Sequence, residues 1–402
     1  MSDTFDTTGT ALRVGGRTLA QLTARAGQTP FYAYDRALVA ARVAKVRQAL
    51  PPGVGLHYAV KANPMPALLA FINPLVDGMD LASGQELRWA LDAGANPLNV
   101  SLAGPGKRVP ELRQAVATGV LVNVESEREL PVLAQASQDL GLPARVALRV
   151  NPDFELRGAG MRMGGGAKPF GIDAEQVPAA LAEVARLGLG FEGFHVYAGS
   201  QNLKADLLAQ ATASSLEMVC RLAANAPGPL RHVNLGGGWG IPYFPGEQAL
   251  DLAPVTAALH QAVDRLATEQ PQAHMVLELG RYLVGEAGVY VARVLERKVS
   301  RDRVYLITDG GMHHHLAASG NFGQVLKRNY PVAVGNRLGA EPVEKVSVVG
   351  PLCTPLDQLA DQVQLPQAEA GDWVVVFQSG AYGATASPQA FLGHPACVEM
   401  LV

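Results

Sequence analysis

The sequence predicts a parallel (β/α)8 TIM-type barrel joined to an antiparallel β domain. Three observations lead there. Short apolar runs alternate with helical patterns from about Phe31 to Arg281, roughly eight β-then-α units over about 250 residues, the size of such a barrel. Polar and glycine-rich signals cluster just after those runs, where the ligand-facing loops of a barrel lie. Beyond Arg281 apolar residues alternate with period two and long helical patterns stop, which is the texture of an antiparallel sheet. The expected domains are 31–281 for the barrel, and 1–30 with 282–402 for the β domain.

The barrel strands are expected among Phe31–Tyr34, Gly55–Val60, Gly78–Leu81, Leu98–Val100, Leu121–Val124, Ala144–Val150, Gly190–Val196, His232–Leu235 and Met275–Leu279. Each is a short apolar or β-branched run bounded by turn formers. Between them, Asp35–Ala49, Ser83–Ala93 and Ala174–Leu187 carry apolar residues at helical spacing. In the second domain, Gly288–Val294, Val304–Ile307, Lys345–Val349 and Trp373–Phe377 read as strands, and Ala11–Val14 is a strand-like segment that belongs with them.

Composition excludes several classes of function. The 402 residues are 48% hydrophobic and 17% charged, which is globular rather than disordered. A net charge of −3 gives no electrostatic case for nucleic acid or an anionic membrane surface. The three cysteines, Cys220, Cys353 and Cys397, are an odd and sparse set that suits a reducing cytoplasm better than a disulfide framework. The first residues are polar and acidic, so no signal peptide is expected. No run of about 20 apolar residues suggests a membrane span.

The chemistry concentrates at strand ends. His57-Tyr58-Ala59-Val60-Lys61-Ala62-Asn63-Pro64 puts a lysine at the end of an apolar run, where an unpaired ammonium is costly. A strand-end lysine that snorkels to solvent is one reading, and a Schiff-base lysine is the other. The strand at His232 runs into Gly236-Gly237-Gly238, either a tight turn or a place where backbone N–H groups approach a phosphate. Leu277-Glu278-Leu279-Gly280-Arg281 offers either a rim salt bridge or two working charges: Glu278 for a cationic nitrogen, and Arg281 for a carboxylate or phosphate. His195 and Tyr197 alternate along one strand that runs on to Ser200, so both should face the same side. His313-His314-His315 has adjacent rings pointing different ways and no partner at helical spacing, so no metal is expected there. Gly164-Gly165-Gly166-Ala167-Lys168 lacks the Ser or Thr of a phosphate loop and reads as a loop. Together these supply an imine-forming amine, a phosphate cradle, a carboxylate for a ring nitrogen and an aromatic for a ring face, the parts a pyridoxal phosphate site needs.

The ordered motifs "YAVKANP", "GMDLASGQEL", "LRVNPD", "NLGGGWG", "ELGRYLV", "TDGGM", "VVGPLC" and "SGAYG" span nearly the whole chain. In this it resembles the fold type III pyridoxal phosphate decarboxylases, which include diaminopimelate, ornithine and arginine decarboxylases; the first is closest in texture. The resemblance implies an alanine racemase-like barrel with a β domain completed by the N-terminal strand, and a homodimer with shared active sites. It implies that Lys61 carries the cofactor, and that Gly236, Gly237, Gly238 and Ser200 hold the phosphate with Tyr382 contributing. Glu278 is implied to sit against the pyridine nitrogen, with Gly280 and Arg281 following it. Asp80 and Arg149 are implied to line the cofactor's lower face and the lysine's surroundings. Cys353 is implied to reach the neighbouring subunit's site, and either Cys353 or Lys61 to reprotonate the α-carbon. A carboxylate at 278 favours decarboxylation; the similar racemases place an arginine there. A non-catalytic pyridoxal-binding protein is the reading from another class, and the intact Lys61, Glu278 and Cys353 oppose it. A Schiff-base aldolase fits Lys61 but leaves Glu278 and the β domain unexplained.

Three departures from the family pattern bear on substrate. The family's decarboxylases usually place a histidine three residues before the serine of "GS"; here Tyr197 stands there, with His195 two further back. An aromatic face survives, so stacking is expected to survive. The acid that commonly follows the cysteine, and grips a distal ammonium, is Thr354. Losing that anion removes a charge-assisted hydrogen bond of about 1.5–3 kcal/mol. Finally, His313-His314-His315, Asn321 and Tyr330 replace the family's aromatic and arginine pattern after "DGGM". Thr354, Tyr382, His313 and Arg281 are the expected substrate contacts. These departures resemble decarboxylases of exopolysaccharide, exosortase and natural-product clusters, some acting on an amino acid tethered to an acyl carrier protein. The expectation is a cytoplasmic pyridoxal phosphate decarboxylase acting on a small amino-acid or aminoacyl substrate, with an acyl carrier protein as a candidate partner.

Overall fold

The computed structural model describes residues 4–5, 7, 9–155, 160–322, 324 and 327–402. The chain divides into two compact units: 43–242 with 248–282, and 1–42 with 243–247 and 283–402.

The first unit is a closed parallel barrel. Its strands are β1 (Gly55–Ala59), β2 (Gly78–Leu81), β3 (Val100–Leu102), β4 (Leu121–Val124), β5 (Arg145–Asn151), β6 (Gly190–Val196), β7 (His232–Gly237) and β8 (His274–Leu279). Neighbours pair in parallel around the ring, and β8 pairs back onto β1 through Glu278↔His57 and Leu279↔Tyr58. Most strand residues are buried on both faces, as expected where helices cover the outside. Ser83 caps the helix Gly84–Asp92 by accepting from Glu86 N at 3.1 Å, which is why the predicted Ser83–Ala93 segment starts where it does.

Two expectations need correction here. The strand expected at Leu98–Val100 is β3 and begins at Val100, not Leu98, because Asn96 accepts from Leu98 N at 3.1 Å and Pro97 opens a 3-10 turn. Phe31–Tyr34 is no barrel strand. It pairs antiparallel with Gly288–Val291 and in parallel with Val398–Leu401, both in the second unit. All four of its residues are buried, so it looks locally like a parallel barrel strand.

The second unit is built on one long strand, Gly288–Ser300. Its first part pairs with Trp373–Val376 on one side and Phe31–Tyr34 on the other; its second part pairs with Arg303–Thr308. The sheet continues to Val332–Val334 at one end, and through Glu344–Val349 to Gln358–Leu365 at the other. It is mixed rather than purely antiparallel, since Arg303–Thr308 and Glu344–Val349 run parallel. Arg13–Val14 stands apart in a small hairpin with Arg17–Thr18, so the N-terminal strand that joins the sheet is Phe31–Tyr34. Phe5, Leu12, Leu22, Phe31, Val289, Val375 and Phe377 pack its core. Among the described residues no helix is long and apolar enough to cross a membrane.

The histidine run packs inside this unit. His315 is fully buried: its Nδ1 accepts from Ala318 N at 3.2 Å, so Nε2 carries the proton toward Ser379 Oγ at 2.9 Å. Burial lowers its pKa to about 3, and lowers that of His313 to about 4. Both groups take up protons in the unfolded chain near pH 6.5 but not in the native one. Their contribution to stability is therefore complete above about pH 6.5 and is lost as pH falls toward the native values. Thermal melts from pH 7.5 to 5 should show Tm falling with acid, and His315→Gln should flatten that slope.

Candidate active site

The barrel gathers the predicted groups at the carboxyl ends of its strands. Lys61 lies in the 3-10 turn Val60–Ala62 that directly follows β1. Asn63 ends the turn; its side chain accepts from Met65 N, and Tyr58 OH donates to its carbonyl at 2.9 Å. The Lys61 ammonium is neither buried nor adrift: its Nζ is 3.7 Å from Glu278 Oε1 and 4.8 Å from the centre of the Tyr197 ring.

Glu278 ends β8 and is 6% exposed. Its other oxygen lies 3.1 Å from His195 Nε2, where a carboxylate requires Nε2 to donate. His195 and Tyr197 do share a side, with rings 6.5 Å apart and 30° between planes. His195 Nδ1 is buried without a hydrogen-bond partner among the described residues.

Gly236 and Gly238 adopt left-handed backbone with φ of 70° and 74°. A side chain at Gly236 would come within 2.6 Å of Val196 O, and one at Gly238 would overlap Gly199 O. The loop after β7 is thereby pressed against Gly199-Ser200, with Asn202 N donating to Gly238 O at 3.0 Å and Gly240 N to Asn202 O at 2.9 Å. Asn234 Oδ1 accepts from Gly236 N at 2.8 Å, while its Nδ2 is buried without a partner among the described residues. Ser200 is 7% exposed. Gly280 and Arg281 follow β8, and a side chain at Gly280 would meet Ala62 Cβ at 2.8 Å, beside the lysine turn.

Asp80 is the penultimate residue of β2 and faces His57 rather than solvent. Its Oδ1 accepts from Ser101 Oγ at 2.5 Å, and Oδ2 lies 3.3 Å from His57 Nδ1. Burial alone would raise this carboxyl; the charge and hydrogen bond of His57 and the Ser101 hydroxyl outweigh it and hold it to about 2. Arg149 donates to Glu125 Oε1 at 2.7 Å, and Glu125 also accepts from the Gly104 and Gly171 amides. Lys107 and Glu129 form a buried pair beside them at 3.0 Å. The Gly164–Gly166 segment is held by Asn151, whose Oδ1 accepts from Gly165 N and whose Nδ2 donates to Gly166 O.

Sequence reasoning missed His57, Ser101, Glu125 and Gln201. Gln201 has φ of 59° and grips Ile241 through both its amide oxygen and nitrogen, at 3.2 and 2.6 Å. A polar residue following "GS" was the available signal.

The second unit carries the remaining predicted residues. Cys353 is exposed and Thr354 partly so. Tyr382 has φ of 53° and stacks on Phe322 at 6.5 Å. His313, expected to meet the substrate, is instead 0% exposed, its ring 3.7 Å from that of His314 and 5.1 Å from that of His394, so it is packing within this unit rather than a substrate contact. Among the described residues no cluster of His, Cys, Asp or Glu could hold a metal ion.

These residues fit pyridoxal phosphate. A two-loop cradle free of side chains suits a phosphate, a buried carboxylate suits a ring nitrogen, and a phenol ring beside an amine suits a planar aldehyde. Gly238→Ala is expected to weaken cofactor binding by at least about tenfold, since the added carbon must open the cradle and cost charge-assisted hydrogen bonds. Titrating apoprotein with pyridoxal phosphate by absorbance measures this; an unchanged Kd contradicts the assignment.

Comparison with known proteins agrees. The sequence model of the pyridoxal-dependent decarboxylase pyridoxal binding domain matches residues 36–285. The L-glutamyl-[BtrI acyl-carrier protein] decarboxylase of Niallia circulans is 38% identical over 93% of this chain and 89% of its own length. The diaminopimelate decarboxylase of Aquifex aeolicus is 31% identical over 97% of this chain and 90% of its own. The crystal structure of Helicobacter pylori diaminopimelate decarboxylase complexed with L-lysine superposes with a TM-score of 0.83 at 26% identity, covering 95% of this chain and 94% of that one.

Proposed function

The chain belongs to the pyridoxal-dependent decarboxylase family and is a pyridoxal phosphate-dependent amino-acid decarboxylase; from that premise we propose that its substrate is an amino acid tethered to an acyl carrier protein through its side-chain carboxyl, which leaves the α-amine and the α-carboxylate free to react. The observation that carries this reading is the loop at Cys353. Residues 350–356 are Gly-Pro-Leu-Cys-Thr-Pro-Leu, with no acid to meet a distal ammonium. The next acid, Asp357, is 3% exposed and its two oxygens accept from Met312 N and Leu352 N. A free diamino acid would lose its charge-assisted contact here, whereas a side chain that ends in a carrier thioester has no ammonium to satisfy. The 38% identity to an enzyme named for a carrier-protein substrate supports the same reading.

Pyridoxal phosphate, when bound, supplies the electron-accepting ring that takes up the electrons left when CO2 departs. The chain's own groups do the rest. Lys61 Nζ would hold the cofactor at its aldehyde carbon. Glu278 keeps a proton on the ring nitrogen, because a neighbouring anion favours the charged form. His195 Nε2 donates to Glu278 and fixes the carboxylate's orientation. Tyr197 presents an aromatic face, and Ser200 with Gly236, Gly237, Gly238 and Tyr382 would bind the phosphate. Asp80 and Arg149 would shape the floor, Arg281 and Thr354 would meet the substrate, and Cys353 or Lys61 returns a proton to the α-carbon. This reading makes the enzyme a cytoplasmic homodimer, with Cys353 serving the neighbouring copy.

The test is CO2 release from L-glutamate joined to a carrier protein by a thioester at its side-chain carboxyl, set against free glutamate, ornithine, lysine and diaminopimelate. Turnover of the carrier-bound substrate at least about 100-fold above the free acids is expected, the equivalent of about 2.7 kcal/mol of recognition. Fast turnover of free diaminopimelate would reject the carrier.

A further inference from the structure

We propose that Asp357 is a positioning residue that fixes the Cys353 loop against the histidine loop, an inference that rests on Cys353 taking part in the reaction. The two loops are far apart in sequence, one at 309–315 and the other at 350–357. One carboxylate joins them: Oδ1 accepts from Met312 N at 2.6 Å and Oδ2 from Leu352 N at 2.8 Å. These amides belong to the residues immediately before His313 and Cys353. The carboxylate is 3% exposed, and burial raises its pKa against the pull of the two amides.

The neighbouring glycines show how closely the chain is fitted to this group. A side chain at Gly311 or at Gly350 would overlap the Asp357 carboxylate, so each loop contributes a glycine to the same spot. The backbone repeats the tie, with Gly350 N donating to Asp357 O at 3.1 Å. Below it, the Thr308 hydroxyl lies 2.7 Å from Gly310 O and 3.0 Å from Val349 O, linking the same two segments. A carboxylate offers acceptors on both oxygens; an asparagine would turn its NH2 group toward one of the two amides. The buried acid is costly, and its geometry serves the register of two loops rather than an ion pair. Asp357 thereby sets where the Cys353 thiol and the Thr354 hydroxyl stand.

The experiment uses holoenzyme and four variants: Asp357→Asn, Gly311→Ala, Cys353→Ala and the Asp357→Asn/Cys353→Ala pair. Asp357→Asn should lower kcat by about 10–100-fold, the cost of misplacing a reacting group by up to about an ångström. Pyridoxal phosphate Kd should not change. Gly311→Ala should reproduce the effect by displacing the same carboxylate. The double variant should be no slower than Cys353→Ala alone, because a residue acting through another adds nothing once that other is gone. Hydrogen exchange should show Met312 and Leu352 amides losing protection together in Asp357→Asn. Multiplying losses in the double variant, or unchanged kcat in Asp357→Asn, would overturn the proposal. If Cys353→Ala keeps full activity, the premise about the thiol fails instead; amide exchange then decides, and unchanged protection at Met312 and Leu352 rejects the clamp.

Discussion

Lys61→Ala protein is expected to lose decarboxylation by on the order of 10^4-fold or more, the scale on which removing a covalent group from a concerted set acts. On the proposed reading its amine is the group that holds the cofactor's aldehyde carbon. Another barrel amine, that of Lys107, is committed elsewhere: its Nζ donates to Gly104 O at 2.7 Å and Asn123 O at 2.9 Å, and pairs with Glu129. The fold should survive, since Lys61 sits in a one-turn element whose buried members are Val60 and Ala62. Steady-state CO2 release, with melting as the folding control, checks this. Retention of more than about a hundredth of the wild-type rate by a folded Lys61→Ala enzyme would contradict the role.

Glu278→Gln should be the second most damaging change, lowering kcat by about 10²–10³-fold, the range for losing one preorganised electrostatic group. The substitution is isosteric, so the contact with His195 Nε2 at 3.1 Å and the packing at the end of β8 can persist. What disappears is the negative charge. Lys61 Nζ loses its anionic neighbour at 3.7 Å, and on the proposed reading the cofactor's ring nitrogen loses the anion that favours its protonated form. Cofactor Kd should rise little, because the phosphate cradle lies on other residues. A split of this kind, with a large loss in kcat and a small one in binding, separates charge from packing. Glu278→Gln with near wild-type kcat would remove the carboxylate from the mechanism.

How much of this was legible in the sequence depends on the range of the interactions. Lys61, the three glycines and Glu278 each stand at the end of a short apolar run, and a strand end in a parallel barrel faces the ligand. Local pattern therefore located them. The same local pattern misassigned Phe31–Tyr34. Four consecutive buried residues look alike in a parallel barrel strand and in a sheet strand flanked on both sides. Only the distant pairing with Gly288–Val291 distinguishes them, and no periodicity encodes that. The Leu98 shift had a local cause, the Asn96 cap with Pro97, which an apolar run hides.

Partners of the site residues were hidden for the same reason. Asp80 reads as a lone strand-end acid until His57 and Ser101, on the strands to either side, are brought against it. Arg149 depends on Glu125 at the end of the preceding strand. Asp357 reads as an acid four residues past a cysteine; its meaning comes from Gly311 and Met312, brought near by the parallel pairing of Arg303–Thr308 with Glu344–Val349. Tyr197 shows the opposite case. Its alternation with His195 placed both rings on one side from sequence alone, as the 6.5 Å ring separation bears out.

The most direct test is to load the enzyme with pyridoxal phosphate, reduce it with borohydride, digest it and map the modified peptide. The expected product is one pyridoxyl group per chain, on the peptide containing Lys61. A label on Lys107, Lys168 or any other lysine, or no label at all from a folded and cofactor-saturated protein, would contradict the account.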